Sequence, residues 1–330
     1  MKRALAVAAA VVMVAGAILI RRAIDDTSTP STTRPSTARS ISLLCSTEFN
    51  DACQQLAKAD TLITARPEAP GDTTNRLAKP GATLGADAWI VADPWADIVR
   101  IRRSVNDLPD VLDRSGTPVG TANLDLALAA DQRAALEKKC GPSTVSWKCL
   151  AANASRPLTD GGPALTIGIA PASYTSGLLT ATAFTVAEIG KSTLSTNDLS
   201  DHYDSLSSTL ANVTAARGAR TDAPSPVDIL LGQPAYLTAV GLGGYATTLT
   251  STPLRGIVAI TPTPVISARA MIFGAAGTTS ASVVSRLGSR PVAAAMNATG
   301  WSTSNSASKT ALPDAAVIDA IGQLWKDLTK

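Results

Sequence analysis

Histidine is almost missing from this chain: His202 is the one copy in 330 residues. There are four cysteines and no C-x-x-C pair. A tetrahedral zinc site would have to draw nearly every cysteine together from distant segments, so no metal is assigned. Charge is also scarce, with 17% Asp, Glu, Lys and Arg, a net +3, and no basic run after the first two dozen positions. That removes the clustered basic stripe of a nucleic-acid binder. No G-x-S-x-G marks a nucleophile elbow. "GLGG" at 241–244 is too short for a dinucleotide fingerprint. His202 sits in "SDHYDSLSS", polar all round, which reads as a solvated helix face rather than a general base. No catalytic residue and no cofactor follow from these patterns, and the chain does not read as an enzyme. What is present is 45% hydrophobic residues with abundant Ala, Thr and Ser. That is a globular composition, and 330 residues suit two lobes better than one core.

The N-terminus reads "MKRALAVAAAVVMVAGAILIRRAIDD". An uncharged run from Ala4 to Ile20 lies between Lys2-Arg3 and Arg21-Arg22. Its length is at the lower limit for a membrane span. It predicts a signal anchor over 1–24, with cleavage after Ala17 and secretion as the alternative. No cysteine lies just after the run, which excludes a lipid-modified N-terminus of the bacterial lipoprotein kind. Residues 25–40, "DDTSTPSTTRPSTARS", read as a Ser/Thr/Pro-rich stalk. The flanking charges balance and leave orientation open. The cysteines form two close pairs, and an oxidising compartment would favour Cys45 with Cys53 and Cys140 with Cys149. The expectation is therefore a single-pass membrane protein with its ectodomain outside the cytoplasm.

Along the ectodomain, "ISLLC" (41–45), "DTLITA" (60–65) and "AWIVAD" (88–93) read as strands. Ser46 or Thr47 is placed to cap a following helix, with Glu48 in its first turn. "DPWADIVRI" starts another helix. "TPVGTANLDLAL" (117–128) and "LRGIVAITPTPVI" (254–266) read as long extended crossings, bracketing a unit that contains the helix "DQRAALEKK" and the strands "ALTIGIA" and "PVDILLG". The apolar run after "PASYTSG" predicts a helix from about Leu178 to Ile189. Near the C-terminus, Val317, Ile318, Ile321, Leu324, Trp325 and Leu328 form an amphipathic stripe. Alternating strands and helices imply an α/β sheet with parallel pairing.

The order of "LLCSTEFNDACQQLA", "ADAWIVADPW", "IGIAPASYTSGLLTATAF" and "PVDILLGQPAYL" resembles bacterial extracellular solute-binding proteins of the type 2 periplasmic-binding class. It is similar in particular to membrane-anchored substrate-binding proteins of actinobacteria. The resemblance implies a two-lobed fold, with lobe 1 from 41–115 and 256–330, lobe 2 from 116–255, and two interlobe crossovers. It places Ser46, Thr47, Asp93, Trp95, Ser173, Tyr174, Thr175, Ser176 and Gln233 at a cleft. Acidic residues that relatives often carry near these segments are replaced here by "IAPAS" and Gln233, which argues against a cationic or metal ligand.

General physics points to the same place. Ligands of open α/β sheets bind beyond the carboxyl ends of strands, where helix N-termini present free N–H groups. Small hydroxylated residues allow close approach and add donors. The same residues also serve as ordinary caps and turns, Trp95 reads equally as rim packing, and Trp325 reads as core. Two functions remain. One is a receptor that hands a small polar ligand to a membrane transporter, with an ABC-transporter permease as partner, or to a sensor. The other is a cell-envelope interaction protein that keeps the fold without small-molecule binding.

Overall fold

Ile41–Ser46 (β1) is apolar on both faces and lies between two parallel neighbours, Ile63–Glu68 (β2) and Ala88–Ala92 (β3). A strand covered on both faces reads as a continuous apolar run, which is what "ISLLC" supplies. Ser267–Gly274 (β7) joins β3 antiparallel and also joins Thr117–Ala129 (β4). β4 carries Thr238–Leu242 (β5) and Ile257–Ile260 (β6) on its second half. The sheet order is β2-β1-β3-β7-β4-β5, with β6 also on β4. The expected parallel α/β sheet is thus a mixed one.

The computed structural model describes residues 40–141, 145–191, 193–216, 238–242, 256–303 and 312–328. The expected anchor and stalk, the strand "PVDILLG" and Gln233 lie outside the described residues. Residues 41–330 form one compact unit. Among the described residues no helix is long and apolar enough to cross a membrane.

The two halves of β4 pair with different strands. The first half, Thr117–Asn123, pairs with β7; from Leu124 the strand pairs with β5 and β6. The extended segment expected over 117–128 is the strand Thr117–Ala129. The second expected crossing, 254–266, is divided: β6 ends at Ile260 and β7 begins only at Ser267.

Helices cover both faces of the sheet. Asn50–Ala59 (α1), Pro70–Leu77 (α2), Trp95–Val105 (α3), Ala130–Cys140 (α4) and Trp147–Asn153 (α5) precede a central helix, Thr175–Ile189 (α6). The sequence "TSGLLTATAFTV" in α6 has no polar face, and Thr175–Val186 are all buried. Burial of its threonines is made tolerable by back-bonding: the hydroxyls of Thr180, Thr182 and Thr185 donate to the carbonyls of Ser176, Leu178 and Ala181. After Thr196–Asp201 (α7) and Tyr203–Ala216 (α8) come Ser280–Leu287 (α9), Ser289–Ala298 (α10) and Ala315–Leu328 (α11). α11 buries Val317, Ile318, Ile321 and Trp325 against α6 and α3, so the predicted stripe is the core face and Trp325 is core.

Both predicted disulfides are present, Cys45–Cys53 and Cys140–Cys149. The first ties the end of β1 to α1.

Several local expectations are corrected. β2 begins at Ile63 rather than at residue 60, because the Asp60 carboxylate accepts from the Leu62 amide and makes a turn there. Ser46 makes no side-chain cap bond; a short 3-10 turn, Thr47–Phe49, separates it from α1. "ALTIGIA" is not a full strand. It touches the sheet through Gly168, whose N–H donates to Thr238 and whose carbonyl accepts from Val240. α6 starts at Thr175, three residues before the expected Leu178.

Candidate functional site

The carboxyl ends of β1 and β3 and the N-terminus of α6 meet, and the residues there divide into a closed part and an open part. In the closed part, Glu48 leaves the turn after β1 and its Oε1 accepts from the Thr175 amide at 2.5 Å. Trp95, at the first position of α3, donates its indole N–H to the Thr175 hydroxyl at 2.9 Å. Gly71 in α2 donates its N–H to the Ser173 carbonyl at 2.9 Å. Three separate elements thus grip Ser173–Thr175. The approach is close enough that a Cβ on Gly71 would stand 2.7 Å from the Ser173 Cα, so glycine is required there. A Cβ on Gly177 would meet the carbonyl oxygens of Ala170 and Pro171 at 2.3 and 2.2 Å. The small residues of "SYTSG" therefore have a packing reason: they let the first turn of α6 fold back against the segment that leads into it.

The electrostatics of this part are unusual. Burial pushes the Glu48 carboxyl above its ordinary value, while hydrogen bonds from the Thr175 hydroxyl and amide pull the other way. Its second oxygen, Oε2, is buried without a hydrogen-bond partner, and so is the hydroxyl of Ser46 at the end of β1. The positive end of α6 is met by the protein's own carboxylate.

The open part is a cavity of about 770 Å³. Ser173, Tyr174 and an edge of Trp95 line it together with Gly71, Asp72 and Asn75 of α2, Arg102 of α3, and Asp319, Gln323 and Lys326 of α11. Arg102 closes one side. It holds both oxygens of Asp319, at 2.9 and 2.6 Å, and donates to Asn75 at 2.7 Å. Such a bidentate pair fixes α3 to α11. The wall is predominantly polar and mixed in sign.

Asp93 stands apart from both. Its carboxylate accepts from Arg269 of β7 at 2.8 Å; burial pushes its pKa up and Arg269 opposes this. The cation that Asp93 meets within the protein is Arg269. Arg269 in turn lines a second cavity of about 300 Å³ with Thr121, Ser302 and Thr303.

The structure thus brings Trp95, Ser173, Tyr174 and Thr175 together, with Ser173, Tyr174 and Trp95 on the large cavity and Thr175 locked behind it. Ser46 and Ser176 are buried and line neither cavity. Thr47 is part-buried beside them and also lines neither. Sequence reasoning missed Glu48, Arg102 and Arg269 as contributors. Arg269 had a signal, a lone cation inside the apolar strand "SARAMIFG". Glu48 and Arg102 had none, since their partners lie 127 and 217 residues away. Among the described residues, no group of three or more His, Cys, Asp or Glu side chains is placed to hold a metal ion.

No family model and no curated protein matches the sequence. Solved structures match the fold. The chain is similar to a periplasmic thiamin binding protein, with TM-score 0.57 and 10% identity over 88% of this chain and 96% of that one. It is similar to the periplasmic binding protein AfuA of Actinobacillus pleuropneumoniae with fructose-6-phosphate bound, with TM-score 0.53 and 13% identity over 88% and 96%. A ferric binding protein of Campylobacter jejuni gives TM-score 0.53 and 10% identity over 87% and 96%. At these identities the likeness is one of fold, that of the type 2 periplasmic-binding class.

Proposed function

We propose that the protein is an extracytoplasmic receptor that captures a small polar solute and passes it to a membrane transporter, with a sensor as the other destination. The observation that carries this reading is the 770 Å³ cavity whose wall includes Trp95, Ser173 and Tyr174, residues from two segments far apart in the chain. Its size is within the usual range for small-molecule sites. The mixed-sign wall of Asp72, Asn75, Arg102, Gln323 and Lys326 suits a polar solute rather than a hydrocarbon. On this reading 41–115 and 256–330 make lobe 1, and 116–255 make lobe 2, hinged at β4 and at the segment leading into β7. Residues 1–24 anchor the chain, 25–40 form a stalk, and both disulfides belong to an oxidising compartment outside the cytoplasm.

The test is a thermal-shift series with small polar solutes on the wild type and on Gln323→Trp. Gln323 is exposed on the cavity wall, and tryptophan there fills space without touching a buried contact. One solute should raise the melting temperature of the wild type and not of the variant.

A second reading, a cell-envelope interaction protein with no small-molecule ligand, is favoured by one observation. Glu48, Trp95 and Gly71 already fill the gap at the start of α6 with direct protein contacts. Capture of an envelope protein from membrane extracts, with no solute shifting the wild type, would favour this reading over the first.

A further inference from the structure

We propose that Glu48 is an internal stand-in for a ligand oxyanion: its carboxylate holds the α6 N-terminus until a carboxylate- or phosphate-bearing solute takes its place. This rests on the receptor reading above and names the chemistry of the ligand group that meets α6.

Three observations lead here. The first is position: Glu48 reaches across from the end of β1, and its Oε1 accepts from the first amide of α6. A helix of fifteen residues concentrates positive partial charge at that amide. The second is incompleteness. The bonded carboxylate leaves its other oxygen buried without a partner, and the Ser46 hydroxyl beside the same strand end is buried without one as well. A side chain whose role was only to cap a helix would gain by satisfying both oxygens, because a buried unsatisfied group is costly. Here the contact is made at the expense of one oxygen, so release of Glu48 to water is favourable for the carboxylate and unfavourable for the helix. Exchange of Glu48 for another oxyanion would keep the Thr175 amide bonded and let the carboxylate reach water. The third is what a released Glu48 would expose. Ser173 and Tyr174, immediately before the amide in question, already line the 770 Å³ cavity, so the site of the bond adjoins that cavity.

The displacement is a simple exchange. The Thr175 N–H donates to an incoming oxyanion in place of Glu48 Oε1, and Glu48 moves to water. No covalent bond forms or breaks. Trp95, bonded to the Thr175 hydroxyl, keeps the helix start in place during the exchange. Solutes without an oxyanion cannot displace Glu48, which makes the residue a specificity filter as well as a clasp.

The test uses hydrogen–deuterium exchange of the full-length protein, read at the amides of 175–178, with inorganic phosphate and acetate as probes. In Glu48→Ala the exchange there should rise roughly ten- to hundredfold, as for loss of a hydrogen bond to a charged group. Phosphate or acetate should restore protection in this variant while leaving the wild type unchanged. If Glu48→Ala raises exchange throughout the molecule, Glu48→Gln supplies the same readout in a side chain of equal shape: a smaller rise confined to 175–178, reversed by phosphate. Faster exchange that neither anion reverses would overturn the proposal and leave Glu48 a structural cap. Unchanged exchange at 175–178 in both variants would overturn it too. Neither result bears on the receptor reading, which stands or falls on solute binding to the wild type and its loss in Gln323→Trp.

Discussion

Ser173 and Tyr174 are half-buried on the wall of a large cavity, and Thr175 and Ser176, the next two residues, are closed off completely. All four are hydroxylated and consecutive, and their sequence alone gives no reason to separate them. The structural difference comes from what each side faces. Glu48, Trp95 and the carbonyls of Ala170 and Pro171 press on the helix start, while on the other side α2 and α11 stand back and leave space. A run of small polar residues therefore serves two purposes at once: close packing on one face and ligand access on the other.

Substitutions on the two faces should break this comparison apart, and the largest effect falls on the closed one. Gly177→Ala drives a methyl group into two backbone carbonyls that cannot step aside. It should lower stability by about 3 kcal/mol by thermal unfolding, the upper end of overpacking costs. Gln323→Ala, across the cavity, should stay within about 0.5 kcal/mol of the wild type. Equal losses in the two would contradict the division. Next comes the disulfide that stiffens the Glu48 side. Joint replacement of Cys45 and Cys53 by alanine should remove about 2–3 kcal/mol, given the short loop it closes. A loss well below 1 kcal/mol would mean that the bridge does little for the strand end it joins. Thr175→Val keeps the shape but strands the Trp95 indole N–H, for about 2 kcal/mol. Ser173→Ala, two residues earlier on the open face, should leave stability nearly unchanged.

The smallest effect is one of pH. The Glu48 carboxyl lies above its ordinary value of 4.5 because burial outweighs its hydrogen bonds. A raised native pKa means that the folded state binds the proton more tightly than the unfolded chain. Its contribution to stability is then complete below about 4.5 and is lost as pH rises through the native value. The stability of the wild type relative to Glu48→Gln should thus increase as pH falls from 7 to 4. A gap that stays constant, or moves the other way, would mean that the carboxyl is solvated in solution.

Much of the frame was legible. β1 and β3 announce themselves as apolar runs, β4 as an extended segment of unusual length, and α11 as a stripe whose buried members are those its period selects. Local disulfides follow from two cysteine pairs eight and nine residues apart. What could not be read depends on distant partners. α6 begins early because Glu48, 127 residues upstream, satisfies its first amide. The cavity exists because Arg102 and Asp319, 217 residues apart, hold α11 against α3. Asp93 looks like an open acid until Arg269 is placed beside it. The strand "ALTIGIA" failed for another reason: it meets the sheet through Gly168 at β5, while Ala164 and Leu165 pair with the chain at 155–157 instead. Long-range pairing leaves no mark on local pattern, so the site's frame was visible and its chemistry was not.

The central claim, that a small polar solute occupies the cavity beside Ser173 and Tyr174, is tested most directly by native mass spectrometry of the full-length protein purified without added ligand. The account predicts a wild-type species heavier by the mass of one small polar molecule, and a Gln323→Trp species of bare mass. The same extra mass on both proteins, or on neither, would contradict it.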